Sequence, residues 1–93
     1  MNYATVRPRL SEKVRLRFDR RTDRYLLLYP ETGLELNETA TAIVRLCTGE
    51  WTIDEIVDHL IRSYGDVSRG QISRAVREFL AILADRGLLQ GAA

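Results

Sequence analysis

The stretch Arg24-Tyr25-Leu26-Leu27-Leu28-Tyr29-Pro30-Glu31-Thr32-Gly33-Leu34-Glu35-Leu36-Asn37 decides how this 93-residue chain folds. Successive strand side chains point to opposite faces, so residues 24–29 put Leu26 and Leu28 on one face and Tyr25, Leu27 and Tyr29 on the other. Apolar residues on both faces mark a central strand. Pro30 fixes its own φ and Gly33 accepts a positive φ, so residues 30–33 predict a turn into a three-residue strand, Leu34-Glu35-Leu36. Asn37 then caps a helix. So short a strand needs further strands or a packed helix to persist in water, and its outer edge carries unpaired N–H and C=O groups that a visiting peptide can use.

Upstream, residues 13–19 alternate as Lys13-Val14-Arg15-Leu16-Arg17-Phe18-Asp19, which places Val14, Leu16 and Phe18 on one face of a half-buried strand. With a polar turn over residues 19–23, the three strands form an antiparallel meander. Downstream, Ala40, Ile43, Val44 and Cys47 recur at helical spacing up to Gly49. Thr52-Ile53-Asp54-Glu55 is a capping box, stapled by Trp51 and Ile56, ahead of a stripe of Ile56, Val57, Leu60, Ile61 and Tyr64 that stops at Gly65. Ser68-Arg69-Gly70-Gln71 repeats the device with Val67 and Ile72, and a third helix follows through Ile72, Val76, Phe79, Leu80 and Leu83 to Gly87. The expected class is α+β, winged helix-turn-helix-like, with a three-stranded antiparallel sheet before three helices. Residues 13–89 form one domain, and residues 1–12 and 90–93, which show no pattern, are expected as flexible tails.

Composition is that of a globular chain, with 45% apolar and 29% charged residues. No apolar run reaches the roughly 20 residues of a membrane span, and the N-terminus lacks a signal-peptide core, so a cytoplasmic protein with no membrane partner is expected. The net charge of +1 conceals polarity. Residues 1–29 carry eight Lys/Arg against three Asp/Glu, residues 30–60 one against seven, and residues 61–93 five against three. Such a distribution orients a charged partner.

Catalytic groups are scarce. His59 and Cys47 are each the single residue of their type, which is too few for a closed zinc site. Cys47 lies on the apolar stripe of the first helix and reads as a small hydrophobe. The glycines at 33, 49, 65, 70, 87 and 91 are spaced as turn and cap residues, without a phosphate-cradling cluster. No catalytic residue, metal site or cofactor is expected, and the chain is read as no enzyme.

Two binding functions fit the elements. A winged helix-turn-helix suggests a DNA-binding transcription regulator whose third helix reads bases with Arg69, Gln71, Arg74 and Arg77. Against it, Asp54, Glu55 and Asp58 lie where a supporting helix nears phosphates, and the chain is almost neutral, so no nucleic-acid partner is expected. The alternative is a groove: Gln71, Ala75 and Ile82 flank the core stripe of the third helix and extend its apolar surface beyond what the core needs, and a groove for an extended peptide forms if that flank borders the free strand edge.

The run Leu27-Leu28-Tyr29-Pro30-Glu31, then Leu36-Asn37-Glu38-Thr39-Ala40, then Gly49-Glu50-Trp51-Thr52 ahead of Ile56-Val57, and the closing Gly87-Leu88-Leu89 resemble the PqqD family of pyrroloquinoline quinone (PQQ) biosynthesis over residues 8–90. The resemblance implies a non-catalytic peptide chaperone, a RiPP recognition element. It would bind the ribosomal precursor peptide PqqA and present it to the radical SAM enzyme PqqE. It also implies that the leader peptide adds to the third strand and lies against the third helix, at Leu34, Glu35, Leu36, Gln71, Arg74, Ala75, Glu78, Phe79 and Ile82. The working form is expected to be a monomer, with the open sheet edge offering a route to a homodimer when peptide is absent.

Overall fold

The computed structural model describes residues 4–29 and 32–90. In chain order it holds β1 (Arg9–Leu10), β2 (Arg15–Asp19), β3 (Arg24–Tyr29), β4 (Thr32–Leu36), α1 (Glu38–Leu46), α2 (Ile53–Tyr64), α3 (Arg69–Asp85) and β5 (Leu89–Gln90). The antiparallel sheet β2-β3-β4 precedes the three helices, the α+β winged-helix order expected from the sequence.

Alternation sets the two faces of this sheet. Leu16, Leu27 and Leu34 are register partners, as are Phe18, Tyr25 and Leu36, and these point toward the helices. Leu27 is fully buried and Leu36 nearly so, in a core completed by Ile43, Ile53, Ile56, Val76, Leu80 and Leu83. Each fully buried aliphatic chain contributes about 1.5–3 kcal/mol relative to exposure. Phe18 departs from the expected half-buried face: it stands at the end of the sheet and stays 43% exposed. On α3 the buried stripe is Ile72, Val76, Leu80 and Leu83, with Phe79 at its margin.

The helix starts follow the sequence signals. The Asn37 side chain accepts from the Ala40 N–H at 2.8 Å. Thr52 and Glu55 cap each other's backbone N–H groups at 3.2 and 2.8 Å, and Ser68 and Gln71 do the same at 3.2 and 3.4 Å. α2 stops at Gly65 and α3 just ahead of Gly87, both with positive φ. α1 instead ends at Leu46, before Gly49 (φ 85°), because the chain there leaves the helix to pair with the N-terminal segment.

Three expectations are corrected. The fourth strand has five residues and begins at Thr32, which pairs with Tyr29. Gly33 sits within β4 opposite Leu28 with no left-handed φ; its use is space, because an added Cβ would come within 3.1 Å of Leu28 Cδ2. Pro30 and Glu31, the rest of the expected turn, lie outside the described residues. The strand expected over residues 13–19, β2, starts only at Arg15 because Ser11 to Val14 forms a turn closed by the Val14 N–H on the Ser11 carbonyl at 3.1 Å.

The third correction concerns the expected tails. Val6 is buried and Pro8 fully so, and the Val6 carbonyl accepts from Ile53 N–H at 3.2 Å. β1 pairs with β5, and Arg9 bridges to Thr48. Backbone groups of the N-terminal segment are thus satisfied by partners some 40 and 80 residues away, which no local pattern displays. Residues 1–3 and 91–93 lie outside the described residues.

Candidate functional site

Among the described residues β4 has a strand neighbour on one side only, so its outer edge presents backbone donors and acceptors without a sheet partner there. Its side chains are largely committed elsewhere. Leu36 is in the core, Leu34 packs against the core, and Glu35 forms an ion pair with Arg24 at 3.5 Å. What the strand has to offer at this edge is chiefly backbone.

On α3, Gln71, Arg74, Glu78 and Ile82 are exposed while Ala75 and Phe79 are half-buried. Ile82 is 44% exposed, the largest value among the exposed large hydrophobic residues, so the flank beside the core stripe does carry apolar surface into solvent. Gln71 has a structural duty as well, since its side chain closes the capping box of α3. The C-terminal end of α3 is tied to the sheet where β4 begins: Arg86 Nη1 donates to Tyr29 Oη at 2.8 Å, and Tyr29 pairs with Thr32. Leu34 and Phe79 pack against one common core.

Two features here escaped the sequence. Tyr25 and Tyr29 bracket β3 on its inner face and each is held by an arginine, Tyr25 by Arg45 of α1 (2.6 Å to the hydroxyl, 4.8 Å from guanidinium to ring) and Tyr29 by Arg86 just past α3. The second is a cleft of about 730 Å³ at the opposite end of the sheet, bordered by Phe18, Tyr25, Leu36, Ala42, Arg45 and Tyr64. It lies away from α3. The tyrosines could have been flagged by their four-residue spacing, but their partners 20 and 57 residues away could not.

Burial pushes the Cys47 thiol from its usual 9.0 up to about 12, so it stays protonated and unreactive at neutral pH. Glu55 is held below its usual range, first by the hydrogen bond it accepts from the Thr52 backbone N–H, then by the one from the Thr52 side chain. The sole histidine, His59, packs edge-to-face on Trp51 at 4.4 Å. Among the described residues no group of three or more His, Cys, Asp or Glu could hold a metal, and no helix is long and apolar enough to cross a membrane. The arrangement offers recognition surfaces, an open strand edge and a partly apolar helix flank.

Comparison with known proteins agrees with this geometry. Residues 24–89 match the family described as coenzyme PQQ synthesis protein D (PqqD). A PqqA binding protein of Methylococcus capsulatus is 42% identical over 81 residues, covering 87% of this chain and 84% of that protein. The solution structure of the PqqD part of Methylobacterium extorquens PqqCD, a functional stand-alone RiPP recognition element, superposes with a TM-score of 0.80 at 34% identity, covering 96% of this chain and 93% of that one. TbiB1, solved in complex with the TbiA(beta) leader peptide, gives 0.76 at 30% identity over 91% of this chain and 98% of its own. With the family match spanning most of the domain and the capped helices and three-stranded sheet in the same order, the chain belongs to the PqqD family.

Proposed function

We propose that this chain is a non-catalytic peptide chaperone that binds the precursor peptide PqqA by strand addition to β4, with the peptide lying against α3, and presents it to the radical SAM enzyme PqqE in the cytoplasm. The observation that carries this reading is the open edge of β4, a five-residue strand whose side chains are committed while its outer backbone has no strand partner. Leu34, Glu35 and Leu36 supply main-chain pairing. Ala75, Phe79 and Ile82 supply apolar contact, and Gln71, Arg74 and Glu78 the polar margin, with Arg74 opposite an acidic side chain of the peptide. The M. capsulatus relative, named for binding PqqA, and the TbiB1 complex with a leader peptide support it.

The working unit is a monomer, and the free edges of β2 and β4 leave a homodimer open to the peptide-free chain. The DNA-binding reading is weaker because two of its four readers are already engaged: Arg69 donates to Asp58 at 2.5 Å and Gln71 caps α3. Titrating the ¹⁵N-labelled chain with synthetic PqqA should shift the amides of Leu34, Glu35 and Leu36 together with those of the α3 flank. A spectrum unchanged at β4 on saturation removes the strand-addition mechanism. Light scattering of a mixture with PqqE and peptide should show a ternary complex, and its absence removes the presentation step alone.

A further inference from the structure

The central strand has two apolar faces: Leu27 on the inner one is fully buried, whereas Leu26 and Leu28 on the outer one are half-buried. Leu26 and Leu28 belong neither to the buried core nor to the partly buried residues packed against it. The register puts Arg15, Leu28 and Gly33 in one row across the outer face of the sheet, and Arg17, Leu26 and Glu35 in the next. A file of arginines on β2 thus runs beside a file of leucines on β3. Gly33 extends the apolar file sideways, since without a Cβ it lets Leu28 lie across toward β4.

The charges on this face are mostly unspent. Among the described residues Arg17 and Arg20 form no ion pair, and Arg15 donates to the Glu12 and Val14 carbonyls, which leaves its charge without a carboxylate. The two acids present, Asp19 and Glu35, each stand beside an arginine, Arg21 at 3.8 Å and Arg24 at 3.5 Å. A shallow depression runs between Arg17, Arg21, Leu26 and Leu28.

We propose that this outer face docks an acidic amphipathic helix of a partner protein, its carboxylates on Arg15 and Arg17 and its apolar side chains on Leu26, Leu28 and the opening at Gly33. Spacing matches: side chains two apart on a strand repeat every ~6.6 Å, and those four apart on a helix every ~6 Å. Charge complementarity selects an acidic partner. The apolar middle of the face selects protein over a phosphate backbone, which would leave the leucines uncovered. A second copy of this chain is a poorer occupant, because Glu55 and Asp58 of its acidic helix are already paired with Arg7 and Arg69. The proposal does not depend on what occupies β4.

The probe is a synthetic helical peptide of about four turns with Glu at four-residue intervals beside a file of Leu, titrated into the ¹⁵N-labelled full chain. Saturable shifts are expected at the amides of Arg15, Arg17, Leu26 and Leu28. Arg15→Glu with Arg17→Glu should weaken binding about tenfold or more, and Leu26→Ser with Leu28→Ser, which leaves every charge in place, roughly fivefold. A thermal melt accompanies each variant, and Arg15→Gln with Arg17→Gln replaces the Arg→Glu pair if that one does not fold. The proposal is overturned by shifts confined to other surfaces, by leucine variants that bind as tightly as the parent, by a Lys-for-Glu peptide or duplex DNA that perturbs the same amides as strongly, or by light scattering that shows only self-association.

Discussion

Leu27 and its two neighbours are the same residue on one strand, yet Leu27 is fully buried while Leu26 and Leu28 stand outside the core. The inner face of the sheet is built to hold the domain together, with Leu27 and Leu36, and Val14 just before β2, in one buried core with side chains of α1, α2 and α3. The outer face carries the same residue type only half-buried, beside the arginines of β2. Residue type therefore says little here; the side of the strand determines whether a leucine stabilises the fold or remains available to another molecule.

The largest contrast between inside and outside is kinetic. Cys47 should react with an alkylating agent at pH 8 about a thousandfold more slowly than in the unfolded chain, since its thiol is raised from 9.0 to about 12. The same shift has a sign for stability. Above pH 9 the unfolded state gains by ionising a thiol that the folded state keeps neutral, so stability is lost between pH 9 and about 12. Cys47→Ala should flatten that limb in urea titrations; an unchanged limb assigns it to other groups.

Next comes the strand itself. Leu27→Ala should cost about 2–5 kcal/mol and Leu28→Ala below about 1 kcal/mol in denaturant unfolding. Equal losses would erase the distinction between the faces. Smallest in stability is Ile82→Arg, which should stay within about 0.5 kcal/mol of the parent and yet weaken PqqA binding about tenfold by calorimetry. If the variant unfolds, Ile82 is core and the flank of α3 is no docking surface.

Much of this was legible locally. Asn37, Thr52 with Glu55, and Ser68 with Gln71 announced helix starts because capping acts over three residues. β3 was read with its bounds because its alternation and flanking turn residues are contiguous. The misread tail and the misread end of α1 share one cause, which is distance along the chain. Pairing of Arg9 with Gln90 and Thr48 turned an expected tail into part of the body, and it also ended α1 short of Gly49. Gly33 looked like a turn residue because only the register shows Leu28 beside it. The exposed flank at Ile82 came from helical spacing, whereas the Arg86–Tyr29 link that ties α3 to the sheet spans 57 residues and had no local sign.

The pairing of β1 with β5 has a topological consequence. Arg9 and Gln90 are register partners in an antiparallel pair, so their Cα atoms stand about 5 Å apart. The two ends of the domain are thus pinned to each other on a sheet separate from β4, and the segment ahead of β1 runs on into the core at Pro8 and Val6. A neighbouring domain fused after β5 would leave from beside β1, whereas one fused ahead would join beyond the buried Val6, near the start of α2.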